Sequence, residues 1–563
     1  MFSGQYISNQ FSVTGSNYST TINGHKYTIA LYGEIFNLNE IKIKLKIKGD
    51  TNTNLNETLL VAYFSLGTSF LQLLRGNFAL AIWDENNKSI LLARDHLGVM
   101  PLFYKKEAHS LVFSPNLKYV ANKVSTNIVT VTGLREIFGI GPARTPGTTA
   151  FKDIYEILPG HCALLQNNEL THQCYWHLTA APHTDDLETT THNIHNMVTS
   201  SILAQTDEQT CALLSGGLDS SIIAAVASPY MRKWHGRPLP TFSYDFAGNS
   251  SHFVPSSFQP EQDTPFAALA AKELGTSHSF LEIGTEEVVL SLYDAVDAKC
   301  LPAMGDIDAG LFSFFIKLRG DGCSRFLTGE TADEIFGGYP WFNHKELQEG
   351  LLFPWSRDNY ARSFFLDKEI QKKLNIDKYS QKQYVSTIKN TPLLGNEDDD
   401  QKRLRQVHYA TLQWFMPTLI ERAQRMANYL DLTPRMPFAN VDLMQYAYNI
   451  PWEMKIQDNN VKHPLREAFK HMLPEPIVQR KKNPPPKIYN PAYTANIKHL
   501  VNDVVLNKNS PLYPLLDANA VRNITEKNPE PPWFGQLMKN PQQLAYLVQV
   551  NYWLKKYNVS LAL

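Results

Sequence analysis

Cysteine is scarce: five residues in 563, at positions 162, 174, 211, 300 and 323, with no CxxC pair and no regular spacing. That excludes a disulfide framework and offers no zinc-ligand pattern, so reduced thiols, mostly in cores, are expected. An excess of one charge is also missing. Lys plus Arg (53) and Asp plus Glu (54) leave a formal net charge of −1, without the broad field that a dedicated nucleic-acid or acidic-membrane binder carries. No apolar run approaches the ~20 residues needed to span a bilayer, and the polar start MFSGQYISNQ is unlike a signal peptide. A cytoplasmic protein with neither a nucleic-acid nor a membrane partner is expected. Internal repeats and long low-complexity tracts are lacking too, and the length predicts two or three domains, each large enough to bury its own core.

What is present changes character along the chain. From YTIALYGEIF at 27–36 through NFALAIWDENNKSILLA and SLVFSP to HCALLQNNELTHQCYW, short β-rich runs alternate with Asn, Asp and Lys clusters that read as hairpin turns. They predict a largely antiparallel α+β domain over 1–180. Residues 178–189, LTAAPHTDDLET, are polar and aperiodic and read as a linker. From 190 to 563 a second domain is expected, opening with strand–helix repeats: CALLS then SSIIAAVASPYM, TFSYDF then TPFAALAAKEL, HSFLEIG then EEVVLSLYDAV, and SRFLTGE. Such alternation predicts a parallel, doubly wound α/β sheet. Beyond 340, segments such as QYAYNIPWEMKI and PWFGQLMKNPQQLAYLVQVNYWL predict helices packed on that sheet, while the acidic NEDDD at 396–400 reads as a solvated loop.

Two loops carry chemistry. CALLSGGLDSS at 211–221 breaks from an apolar strand into Ser215, Gly216, Gly217, Asp219, Ser220 and Ser221. Ligands of open parallel sheets sit beyond the carboxyl ends of the strands, where helix N-termini present free N–H groups. Glycines there let the backbone approach an anion, and serines add hydroxyl donors. It is not a GxxxxGK[ST] loop, since no lysine follows. An acid beside a phosphate loop implies a bridging cation, so Asp219 suggests Mg²⁺ on pyrophosphate. The second loop, GETADEIFGGY at 329–339, places Glu330, Asp333 and Glu334 after another strand. Glu330 and Asp333 read as acid–base and metal candidates paired with Asp219, and Glu334 as a first-turn carboxylate favoured by a helix dipole.

With both motifs in place the chain resembles the asparagine synthetase family, which carries SGGxDS and GExxDExFGGY. YGEIFN at 32–37 is similar to that family's NGEIYN and ARDHLGVMPLFY at 93–104 to its RDxxGxxPLYY; RMPFANVDLM, KHPLREAF and QRKKN resemble further segments. The resemblance implies an N-terminal Ntn-hydrolase-like sandwich, a PP-loop ATP pyrophosphatase-type synthetase domain, and ATP with Mg²⁺. It implies ATP or pyrophosphate binding by Leu214, Ser215, Gly216, Gly217, Asp219, Ser220, Ser221, Ser243, Gly329 and Lys482, metal binding by Asp219 and Asp333, and catalysis by Glu330 and Lys482. Lys481 competes with Lys482 for the lysine role, because the RKK run leaves the register open by one residue.

Glutamine-using members have a cysteine immediately after the initiator Met, whose thiolate attacks the glutamine amide. Here position 2 is Phe, and no cysteine occurs in the first 161 residues. The oxyanion-donating Asn of NGE is Tyr32, the Asp that binds the glutamine amino group aligns with Leu55, and the stretch that should carry an arginine upstream of NGE is read as deleted. A degenerate glutaminase domain is expected, with nitrogen arriving as ammonia or as a substrate amine. The expected activity is an AMP-forming ligase that adenylates a small-molecule or peptide carboxylate, with an amide of the asparagine type as default product. Ring closure of the β-lactam synthetase or lasso-peptide cyclase type is the alternative within that chemistry, and a nucleotide-binding pseudo-enzyme the alternative outside it. Glu330 favours the asparagine-type reaction, because β-lactam synthetases carry tyrosine there. Asn440 and Thr433 depart from the family's acids, and Asp306 and Asp308 suggest either a cationic substrate or a helix N-terminus. A homodimer is expected.

Overall fold

The NFALAIWD and SILLAR runs form strands buried on both faces, and around them the first of two compact units is built. The computed structural model describes all residues except 8–9, 48–53, 124–126, 257–258, 357, 459, 527–532 and 536–537. One unit comprises 1–130 and 145–179, the other 131–144 and 180–563. Nothing in the sequence marks the excursion of Val131–Arg144 into the second unit.

In the first unit the strands are β1 (Ser3–Ile7), β2 (Gln10–Thr14), β3 (Tyr18–Ile22), β4 (His25–Ile35), β5 (Gly76–Asp84), β6 (Ser89–Arg94), β7 (Phe103–Glu107), β8 (Ser110–Ser114), β9 (Ile128–Thr130), β10 (Tyr155–Glu156), β11 (His161–Gln166) and β12 (Glu169–Cys174). Two antiparallel sheets, ordered β10-β7-β8-β1-β2 and β12-β11-β6-β5-β4-β3, enclose a core that includes Phe2, Trp83, Met100 and Phe113. The outer face of the six-stranded sheet is covered by the helices Leu38–Lys44 and Leu55–Leu66 around Leu59, Phe70 and Phe78. The RDxxG segment is structural here. Asp95 accepts backbone N–H bonds from Phe78, Leu97, Val99 and Met100 (3.3, 3.1, 2.9 and 2.8 Å), and Arg94 donates to the carbonyls of Met100, Ile157 and Gly98 (2.7, 2.9 and 2.7 Å).

In the second unit β13 (Thr210–Leu213), β14 (Pro240–Phe246), β15 (Ser277–Ile283), β16 (Arg325–Leu327) and β17 (Thr433–Arg435) form one parallel sheet ordered β15-β14-β13-β16-β17. The chain winds outward from β13 through β14 to β15, then returns to β16 on the other side of β13. The order therefore reverses between β13 and β16, the switch point at which open α/β sheets form a crevice. β17 was not expected: three residues containing a proline carry too little pattern, and Pro434 is tolerated because it lies on the edge strand.

Helices follow each strand as expected, including Leu218–His235, Thr264–Leu274 and Thr285–Lys299. Most of the remainder is helical, with a two-residue hairpin at Ile456–Gln457 and Asn460–Val461. Asn540–Lys556 realises the C-terminal helical pattern; residues 532, 536 and 537 of that stretch lie outside the described set. The acidic run at 396–400 is solvated as expected except at Glu397, and it is a loop only as far as Asp398, where a helix begins. Asp398 caps the helix Asp399–Ala410 by accepting from the Gln401 N–H (2.8 Å), and Glu397 pairs with Arg405 at 2.5 Å with its side chain 7% exposed.

Candidate active site

The two motif loops leave adjacent strands, β13 and β16, and meet at the crevice. Gly216 adopts φ +71°, and a Cβ there would lie 2.3 Å from the Phe266 carbonyl carbon, so only glycine fits this turn. Ser220 Oγ accepts from the Ser215 N–H (3.2 Å) and lies 3.2 Å from both Ser215 Oγ and the Gly217 carbonyl, which closes the loop on the first turn of Leu218–His235. The first repeating helical bond runs from the Ser221 N–H to the Gly217 carbonyl (3.1 Å), so the N–H groups of Leu218, Asp219 and Ser220 are the unsatisfied donors of a helix N-terminus. Gly329 brings the second loop against the first: a Cβ there would stand 2.9 Å from that of Asp219.

A cavity of about 280 Å³ opens between these loops. Leu214, Ser215, Gly217, Asp219, Ser220, Ser243, Gly329, Glu330, Asp333 and Lys482 all line it. Gly216 and Ser221 do not. Gly216 shapes the turn from behind, and the helix rotates Ser221 into the interior, where its hydroxyl is fully buried and unpartnered, so its side chain is no phosphate ligand. Ser243 faces the cavity with its hydroxyl 3.0 Å from His278 Nε2.

The electrostatic centre is a lysine that the sequence reading passed over. Lys462 Nζ lies 2.6 Å from Asp219 Oδ2 and 2.7 Å from Asp333 Oδ1, with its side chain only 3% exposed. Lys482 Nζ reaches Asp333 Oδ2 at 2.5 Å. Of the two lysines in the RKK run, Lys482 points into the site, while Lys481 is exposed at its rim. Gly338 makes the pairing possible, because a Cβ there would stand 1.9 Å from Asp333 Oδ1 and 2.6 Å from Lys462 Cε. Two non-glycine residues hold left-handed backbone at the centre, Lys462 (φ +58°) and the β-branched Thr331 (φ +78°), whose buried hydroxyl has no partner. Strain of this kind persists where the surroundings over-determine a functional conformation.

Protonation follows from this arrangement. Burial works against the Asp333 carboxylate, but the Lys462 and Lys482 ammonium groups outweigh it and hold its pKa well below the usual range. Burial raises the pKa of Glu330; Arg422 and Lys482 oppose the rise, while Asp333 and Asp219 add to it. Glu330 has no hydrogen-bond or ion-pair partner among the described residues and faces the cavity, the state of a base awaiting a proton. Glu334 is more than a first-turn carboxylate. It is buried, accepts from the Tyr339 hydroxyl (2.5 Å), and burial together with the Asp333 charge raises its pKa to about 8. Asp306 and Asp308 are internal rather than substrate-facing: Asp308 pairs with Arg422 (3.0 Å) and Lys299 (3.4 Å), and Asp306 accepts from Gln542 (2.9 Å).

The residues fit a magnesium nucleotide. Asp219 Oδ1 is buried without a hydrogen-bond partner beside the free helix N–H groups. No cluster of three or more His, Cys, Asp or Glu that could hold a metal occurs among the described residues. Asp219, with its Oδ1 open beside Asp333, matches an ion that completes its shell with substrate phosphates and water.

A family model described as asparagine synthase matches residues 198–555, and one described as a glutamine amidotransferase domain matches 19–176. The chain belongs to the asparagine synthase family. Asparagine synthetase [glutamine-hydrolyzing] 3 of Bacillus subtilis is 39% identical over 549 residues, covering 96% of this chain and 89% of the relative. Amidase chry2 of Gibberella zeae is 24% identical over 523 residues, covering 80% of this chain and 75% of the relative. Asparagine synthetase [glutamine-hydrolyzing] 1 of B. subtilis is 24% identical over 493 residues, covering 81% and 75%. Membership in the asparagine synthase family supports an ATP-dependent ligase that forms an amide with ammonia. Among the described residues no helix is long and apolar enough to cross a membrane. In this asparagine synthase chain the signal for Lys462 was present in KHPLREAF, two residues before a helix-starting proline; the more basic RKK run drew the assignment instead.

Proposed function

We propose that the chain is an AMP-forming carboxylate–amine ligase whose nitrogen does not come from glutamine. One observation carries the first half: Asp219, Lys462, Asp333 and Lys482 form a linked charge array in the crevice between β13 and β16, with Glu330 unpartnered beside it. Mg²⁺ held by Asp219 and Asp333 would draw charge from the β- and γ-phosphates as they leave. The N–H groups of Leu218, Asp219 and Ser220 and the Ser215 hydroxyl bind phosphate oxygens. Lys462 and Lys482, released from the acids, neutralise charge that builds as the carboxylate oxygen bonds to the α-phosphorus and the bond to pyrophosphate breaks. In the second step the amine nitrogen attacks the acyl carbon, its proton passes to Glu330, and the carbon–oxygen bond to AMP breaks.

The second half rests on the first unit. Phe2 is 1% exposed and packs edge-on to Phe113 at 6.2 Å, Tyr32 packs against the inter-sheet core, and Leu55 packs against the helix-covered core. The positions that would bind and attack glutamine are spent on hydrophobic packing. The test is release of pyrophosphate from ATP and Mg²⁺ across a panel of carboxylates, with ammonia or glutamine as donor. Carboxylate-dependent release with amide formed from ammonia is expected. Release without any carboxylate requirement, or amide formed from glutamine in ammonia-free buffer, would sink the reading.

A further inference from the structure

The cavity has two chemically different halves. The half built from the strand-end loops is polar, whereas the half built from the start of helix Asp306–Gly320, the helix Met416–Tyr429 and the segment around Phe534 is apolar: Met304, Ile307, Leu311, Phe415, Leu419 and Phe534 line it. All are nine-tenths or more buried, so the surface they offer is largely that of the cavity wall.

Aspartate would bring a second carboxylate and an ammonium group into that half, and each needs a partner there. Each arginine of the inner wall already holds a carboxylate or a carbonyl. Arg422 pairs with Asp308 at 3.0 Å and donates to the Ile307 carbonyl at 3.3 Å. Arg466 donates to the carbonyls of Val461, Val478 and Arg480 at 2.9, 2.5 and 3.0 Å. Arg480 pairs with Asp263 at 2.6 Å. Lys462 and Lys482 belong to the phosphate-side array, and Lys481 stands at the exposed rim. The two glutamates of the wall offer little to an ammonium group: the Glu334 carboxyl is occupied by Tyr339, and Glu330 is needed as the base.

We infer that the carboxylate activated here is a monoacid with an apolar body, aliphatic or aromatic, rather than aspartate. Its carboxylate meets the polar half, and its body lies on Leu311, Phe415 and Leu419. This inference rests on the adenylation reading above and specifies its substrate class.

The test uses the full-length protein with Mg²⁺ and ATP and measures carboxylate-dependent exchange of labelled pyrophosphate into ATP. The panel compares hexanoate and 3-phenylpropionate with L-aspartate and succinate. Exchange at least ~10-fold faster with the apolar monoacids is expected, the discrimination a few buried methylenes supply. Equal or faster exchange with aspartate overturns the inference while leaving adenylation standing. If no acid supports exchange, the adenylation reading fails, and thermal shift by the same acids decides the pocket separately. Stabilisation by 3-phenylpropionate but not by aspartate keeps the apolar site; no stabilisation by either apolar acid overturns it.

Discussion

Replacing Lys462 with Met removes the ammonium group that two acids share while keeping most of the side-chain volume. Asp219 loses its ion-pair partner, Asp333 keeps Lys482, and two carboxylates are left facing each other in a site where the lysine was 3% exposed. Breaking a buried pair by deleting one partner costs roughly 3–5 kcal/mol, because the remaining charge is stranded. With Lys482 still on Asp333, the lower figure is expected, read as a fall in the thermal midpoint of the second unit's transition. Turnover falls by about 10²–10³, the usual loss when one preorganised charge is taken from a transition state. A second readout separates this from general damage. Mg²⁺ alone replaces the missing cation between Asp219 and Asp333, so it raises the midpoint of Lys462→Met more than that of the wild type. Wild-type stability together with turnover within a few-fold of normal would refute the placement of Lys462 at the centre of the site.

Ser220→Ala opens the bonds that close the Ser215 loop and is expected to raise the KM for ATP about tenfold, as for loss of one to two hydrogen bonds, whereas Ser221→Ala, which removes a buried hydroxyl without a partner, leaves KM and stability near wild type. An effect of Ser221→Ala as large as that of Ser220→Ala in the same kinetic assay would contradict the geometry. Phe2→Cys is expected to release no glutamate from glutamine, because Tyr32 and Leu55 supply neither oxyanion donor nor anchor, and to cost about 3 kcal/mol of packing in the first unit; measurable glutamate release counts against the account. Glu334, with its folded pKa raised to about 8, keeps a proton in the folded state that the unfolded chain gives up near its ordinary value of 4.5. Its stabilising contribution is therefore fully present below about pH 4.5 and is lost as pH rises through 8. Thermal midpoints between pH 5 and 8 should fall less steeply in Glu334→Gln than in wild type, and parallel slopes would show that the carboxyl is already ionised.

Much of the second unit was legible because its elements advertise themselves locally. CALLS, TFSYDF and HSFLEIG are apolar runs of strand length, each followed by a helical period, and the two loops after β13 and β16 carry glycines that only a tight approach explains. β17 escaped notice because three residues with a central proline show no periodicity. Lys462 escaped because its role is made by distance rather than by spacing: a left-handed backbone at a helix start turns it toward acids more than a hundred residues away in sequence. Ser221 was over-read for a related reason, since a motif names neighbouring serines alike while one helical step of about 100° sends one to the cavity and the next to the core. Glu397 and Glu334 were taken for solvated or terminal charges, yet Arg405 in the following helix and Tyr339 at the end of the motif draw each carboxyl inward.

The central claim is that a carboxylate oxygen bonds to the α-phosphorus of ATP before nitrogen arrives. Turnover of an accepted carboxylate labelled with heavy oxygen in both carboxyl positions, with ammonia as nitrogen donor, tests this directly through the mass of the released nucleotide. The account predicts AMP carrying one labelled oxygen for every amide formed, together with unlabelled pyrophosphate. Unlabelled AMP, or ADP with the label in inorganic phosphate, would contradict it.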